Sequence, residues 1–164
     1  MIANFTTFFI IKALGIPRER LQDWMNRGFI TPTIAADGKG TKALFTLNDI
    51  YGISLFETLL NKVPNRMVAA GIVQEFLRLD DPKTISYILL RYETASGGPQ
   101  NIMAFQAKNP ESPDGNWSLD LLTGTCLSDY LVEPLAENPD WNSILIINFR
   151  LIKEDVDNKL ALLT

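Results

Sequence analysis

The sequence contains no histidine and a single cysteine. Without histidine it lacks the commonest general base near neutral pH and the commonest metal ligand. One thiol, Cys126, cannot close a disulfide within the chain or build a soft-metal site alone, and it fits a reducing compartment. No apolar run approaches the roughly 20 residues that a membrane-spanning helix needs. Phe8-Phe9-Ile10-Ile11 is apolar, but Lys12 interrupts it and no small-residue cleavage site follows, so it does not read as a signal peptide. There is no glycine-rich phosphate loop and no nucleophile motif. Asp120, Asp129 and Glu133 could in principle form a carboxylate cluster, but without a histidine or nucleophile motif they read as a solvated acidic face. The expectation is a non-enzyme with no cofactor and no metal, away from membranes.

What is present is unevenly divided. At 164 residues the chain can form one medium domain or two small ones. Residues 1–79 carry nine basic and six acidic side chains, a net +3, whereas residues 80–164 carry six and thirteen, a net −7. A basic first half and an acidic second half fit a nucleic-acid module joined to a segment that does not touch nucleic acid.

The stretch from Leu14 to Ile50 carries most of the information. Leu14-Gly15-Ile16 is a glycine turn, and Pro17 suits the first position of a helix, where its missing N–H costs nothing. Leu21, Trp24 and Met25 then share one apolar face, while Glu19, Arg20, Gln22, Asp23, Asn26 and Arg27 point away from it. Gly28 ends this helix, and Phe29 and Ile30 turn back toward a core before Pro32. Ala36 to Phe45 reads as a glycine-tipped hairpin bearing Lys39 and Lys42. Thr46-Leu47-Asn48-Asp49 resembles a capping box that opens the next helix.

Around this stretch a first helix is expected from Thr6 or Thr7 to about Leu14, with Phe8, Ile11 and Leu14 inward. A longer helix should run from Leu47 to about Asn61, burying Ile50, Ile53, Leu55, Phe56, Leu59 and Leu60, with Pro64 as its breaker. Another, capped by Asn65, should reach Leu79 with Met67, Val68, Ile72, Phe76 and Leu79 inward. Gly71 within it is either a weak point worth about 1 kcal/mol against alanine or a place of close helix approach. Asp80-Asp81-Pro82 marks a boundary. Beyond it, strands are expected at residues 84–92, 101–107, 117–122 and 143–149, the first two as an antiparallel hairpin. A short helix is expected over Leu127–Glu133, and a helical stripe of Ile152, Val156, Leu160 and Leu163 toward residue 164. The fold class expected is α+β: a mostly helical domain over residues 1–80, then a small α+β domain over 81–164 with a largely antiparallel sheet.

The turn Leu14-Gly15-Ile16, the run Leu21…Trp24…Arg27-Gly28-Phe29-Ile30…Pro32 and the segment Phe45-Thr46…Asp49-Ile50 resemble the MerR-type winged helix-turn-helix, over roughly residues 5–75. The resemblance implies a DNA-binding domain with the Leu21 helix in the major groove and the hairpin as a wing on the backbone. Arg18, Arg20, Gln22, Asn26 and Arg27 would then be the helix contacts, and Lys39 and Lys42 the wing contacts. This sequence departs from the family pattern at two places. Gln22, followed by acidic Asp23, stands where an arginine commonly follows the leucine, and Ala43 stands where the wing commonly has an arginine. The long C-terminal dimerisation helix of the family is not evident either. The implied protein is a bacterial, cytoplasmic transcription regulator that binds double-stranded DNA, as a homodimer, with residues 81–164 dimerising or sensing a small-molecule or protein effector. A protein-interaction adaptor that keeps the winged fold without DNA binding, and an excisionase-like architectural factor, are the other readings.

Overall fold

A computed structural model describes residues 5–38, 40–63, 66–78, 87–93, 102–103, 121–122 and 141–163. The class is α+β, with five helices and a small antiparallel sheet among the described residues. The chain divides into two compact units, Met1–Lys83 with Leu151–Thr164, and Thr84–Arg150.

The first unit opens with β1 (Phe5–Thr6) and α1 (Thr7–Leu14). Thr6 caps α1 by accepting a 3.3 Å hydrogen bond from the Phe9 N–H. Gly15, at φ 69°, ends it in the left-handed conformation that glycine adopts at little cost. The inward face of α1 is Ile10 and Ala13, not the expected Phe8, Ile11 and Leu14. Phe8 is 76% exposed, and Ile11 and Leu14 are half-buried. A helix of eight residues with five large apolar side chains shows no clear stripe, so its cap and contacts, rather than its periodicity, decide the phase.

Helix α2 (Arg18–Asn26) follows a one-turn break, with Pro17 as its cap rather than its first helical residue. Leu21 and Trp24 are buried and Met25 half-buried, as the spacing predicts. Its end is a Schellman motif: Gly28 sits at φ 71°, the Phe29 N–H donates to the Trp24 carbonyl at 2.9 Å, and the Gly28 N–H to Met25 at 3.0 Å. Trp24 and Phe29 both pack against Phe56, at ring-centroid distances of 5.0 and 5.8 Å.

The expected hairpin is present. Ile34 and Leu44 exchange both backbone hydrogen bonds, at 3.0 and 2.9 Å, and close a loop tipped by Gly38 and Gly40. Strand β2 (Leu44–Phe45) pairs antiparallel with β1, Phe5 opposite Phe45 and Thr6 opposite Leu44, so Leu44 lies between Thr6 and Ile34 in a minimal sheet. The capping box is also present. The Asp49 N–H donates to Thr46 Oγ1 at 3.1 Å, and the Thr46 N–H donates to Asp49 Oδ2 at 2.7 Å. Thr33 adds a third bond, donating its hydroxyl to the same Asp49 oxygen at 2.6 Å.

Helix α3 (Leu47–Leu59) is the centre of this unit, buried on most of its circumference, with Ile50, Ile53, Leu55, Phe56 and Leu59 fully enclosed. Helix α4 (Arg66–Leu77) packs on it through Ala69, Ala70, Ile72, Val73 and Phe76. Met67, expected inward, is 69% exposed, and Val68 is half-buried. Asn65 and Leu79 lie outside the described residues. The close approach of α3 and α4 falls at Gly52, where a Cβ would meet Val73 and Leu77 at 3.2 Å; a Cβ at Gly71 would meet nothing.

In the second unit β3 (Tyr87–Glu93) is the shared strand. It pairs antiparallel with β4 (Ile102–Met103), β5 (Leu121–Leu122) and β6 (Trp141–Asn148). The β3–β6 register runs from Tyr87 opposite Asn148 to Glu93 opposite Trp141, with an irregularity at Tyr92 and Glu93. Ile88 and Ile147 face each other directly and are both buried. The expected helix over Leu127–Glu133 and the carboxylates Asp120, Asp129 and Glu133 lie outside the described residues. Helix α5 (Phe149–Ala161) begins without a break after β6. From Leu151 it belongs to the first unit, whereas the sequence pattern alone places these residues with 81–150. Val156 is fully buried, Ile152, Leu160 and Leu163 are half-buried, and Asp157 accepts a 2.7 Å hydrogen bond from the Tyr51 hydroxyl of α3.

Candidate nucleic-acid interface

Helix α2 presents three faces, and their order follows from its 100° per residue. Leu21 and Trp24 form the buried face. Opposite them Glu19, Gln22 and Asn26 are exposed, and the Gln22 amide donates to Asn26 Oδ1 at 3.1 Å. Of the expected contacts, Arg18 lies on one flank of the helix and Arg20 and Arg27 on the other.

The Arg18 flank borders a cleft of about 510 Å³ bounded by three elements. Arg18, Gln22 and Met25 line it from α2, Ala36, Thr41, Lys42 and Ala43 from the hairpin, and Phe8 and Ile11 from the start of α1. Arg18, Gln22 and Lys42 are thus brought to one concave surface from positions 24 residues apart in sequence at most. Neither Arg18 nor Lys42 forms an ion pair among the described residues. The cleft thus carries two cations beside apolar walls, and no carboxylate is among its described lining residues. Ala43, although it lines the cleft, is a buried residue of the hairpin. Lys39 lies outside the described residues.

The opposite flank has a different character. Arg20, Asp23, Trp24, Glu57, Asn61 and Arg66 surround a second concavity of about 330 Å³. Arg27 Nε donates to Asp23 Oδ1 at 2.7 Å, Arg66 stands 3.8 Å from the other Asp23 oxygen, and Arg20 stands 3.7 Å from Glu57. Two of the seven sequence-derived contacts, Arg20 and Arg27, are therefore engaged by carboxylates. Asn26 is on the exposed face between the two flanks.

Three participants escaped sequence reasoning. Phe8 lines the cleft although it reads as a core residue. Glu57 and Arg66 belong to α3 and α4, and nothing in their local pattern relates them to α2. Glu57 follows α2's Asp23 by 34 residues, and only the packing of α3 against α2 relates the two. No helix among the described residues is long and apolar enough to cross a membrane. No protein-family model matches the chain, and comparison with curated proteins gives no match.

Proposed function

We propose that residues 5–75 form a MerR-like winged helix-turn-helix and that the protein is a DNA-binding transcription regulator, α2 entering the major groove and the hairpin acting as the wing. The observation that carries this reading is the meeting of Arg18, Gln22 and Lys42 on one cleft between α2 and the hairpin, with no acid paired to either cation among the described residues. A flanking pair of cations can hold a phosphodiester backbone while Gln22 and Asn26 face base edges. Element order supports it too: a helix, a glycine turn, a second helix with a polar outer face, a glycine-tipped hairpin and a third, central helix. The bacterial source, cytoplasmic location, homodimeric state and effector role of the acidic segment are part of the same proposal.

The test is binding of labelled duplex, from the region upstream of the protein's own coding sequence and from random sequence, across a salt series. Tight binding to the upstream fragment that falls steeply with salt is expected, because each neutralised phosphate releases condensed counterions. Lys42→Ala and Arg18→Ala should each weaken binding about fivefold to tenfold and reduce the salt slope by about one. No binding to any duplex at low salt overturns the reading.

The alternative, a protein-interaction adaptor with the same fold, is favoured by one observation. Phe8, Ile11, Met25 and Ala36 make much of the cleft wall apolar, and Phe8 is largely exposed. Under that reading Phe8→Ala abolishes partner capture and the DNA titration stays flat.

A further inference from the structure

We propose that Asp23 and Glu57 are built-in competitors of DNA phosphate, holding Arg20, Arg27 and Arg66 in the free protein so that sequence-independent binding stays weak. The proposal rests on the DNA-binding reading above, and it concerns the flank of α2 turned away from the Arg18–Lys42 cleft.

The geometry assigns one carboxylate to two arginines. Asp23 holds Arg27 with one oxygen at 2.7 Å and Arg66 with the other at 3.8 Å, while Glu57 stands 3.7 Å from Arg20. All three guanidinium side chains remain more than half exposed, so a phosphate can reach them without rearrangement of the fold. Two of the three contacts are longer than a hydrogen bond, and exposed pairs of this kind add little to stability. Fold stability therefore does not account for placing two acids here. A phosphate offers arginine a better partner, with charge-assisted bonds that can be bidentate. Binding DNA on this flank thus requires exchange of carboxylate for phosphate, with two negative charges left close to the backbone.

The asymmetry between the flanks gives the device its consequence. Arg18 and Lys42 grip the backbone unopposed, whereas Arg20, Arg27 and Arg66 grip it only against Asp23 and Glu57. The backbone term is lowered equally for every sequence, and the contribution of Gln22 and Asn26 to base readout is untouched. Affinity for every duplex is therefore weakened by the same factor, and base readout supplies a larger share of the binding free energy that remains.

Asp23→Asn and Glu57→Gln keep side-chain shape and remove one charge each, and both are titrated with random duplex across a salt series alongside the parent protein and Lys42→Ala. Each of the two variants is expected to bind random duplex about threefold to tenfold more tightly at low salt, with a salt slope steeper by about one. Upstream duplex should gain by the same factor, so the ratio between upstream and random duplex stays unchanged. If the parent binds and Lys42→Ala weakens it, but Asp23→Asn and Glu57→Gln bind no tighter with an unchanged slope, the competitor role is overturned and DNA binding stands. If no form binds duplex, variants included, both readings fall. Thermal midpoints of the variants close to that of the parent exclude unfolding as the cause of an unchanged titration.

Discussion

Asp49 shows how much one side chain can organise. Its carboxylate closes the capping box of α3 and also accepts the Thr33 hydroxyl, so the entry to the central helix and the chain that precedes the hairpin share a single acceptor. Asp49→Ala leaves the Thr46 N–H and the Thr33 hydroxyl to find other partners, and should destabilise the protein by about 2 kcal/mol, measured by urea unfolding. Tyr51 is a different case. Burial, reinforced by its bond to Asp157, holds its hydroxyl protonated well above the ordinary tyrosine range. Below pH of about 10 the hydroxyl is protonated in both folded and unfolded chains. Above it the unfolded chain ionises while the folded one resists, so stability declines as pH rises. Tyr51→Phe should cost about 1 kcal/mol at neutral pH and flatten that alkaline decline, which unfolding curves between neutral and alkaline pH would register. The cap at Asp49 was legible in the sequence because Thr46 and Asp49 stand three apart before an apolar run. The Tyr51–Asp157 bond was not, since no local pattern relates residues 106 positions apart.

At the scale of elements, two glycines in neighbouring helices have opposite meanings. Gly52 lies where α3 and α4 come closest, and the side chain that a Cβ would press against most stiffly is the buried, β-branched Val73. Gly71 faces open space. Gly71→Ala should stabilise by about 1 kcal/mol, the helix-propensity difference. Gly52→Ala should fall about 2 kcal/mol short of it because overpacking offsets the same gain; thermal unfolding of the two variants orders them. The sequence offered both readings of Gly71 and only the packing chose. Helix phase follows the same logic. The Leu21–Trp24 face of α2 could be read directly because polar residues surround it. Phe8 and Met67 could not be placed, because α1 and α4 are apolar around much of their circumference and a shift of one residue still buries large side chains. The β6–α5 junction is a further example: residues 143–149 are apolar apart from Ser143 and Asn148 and read as one strand, yet Phe149 already begins the helix. Asn148, a residue type favoured just before a helix, is the one local mark of the change.

The candidate site belongs to the whole molecule rather than to any element. Charge balance identified the half of the chain to search, and Gly28 and the hairpin glycines delimited the segment. Which cations converge was beyond sequence reasoning, since the sorting of Arg18 from Arg20 depends on where α1, α3, α4 and the hairpin lie around α2. The first unit is itself assembled from two separated stretches, and Val156 is the buried anchor of the later one. Val156→Ala should lower stability by about 2 kcal/mol, in step with the buried apolar surface it removes, and should do so in the same transition that reports on Trp24 fluorescence.

That late return has a temporal consequence during synthesis. Helices α1 to α4 leave the ribosome long before residues 151–163, because all of the second unit is translated in between. At roughly 5–20 residues per second, the surface of α3 that bears Tyr51 waits several seconds for its partner. During that interval the Tyr51 hydroxyl lacks the carboxylate that it donates to in the finished chain. Completion of the first unit is therefore timed by translation of the segment inserted within it.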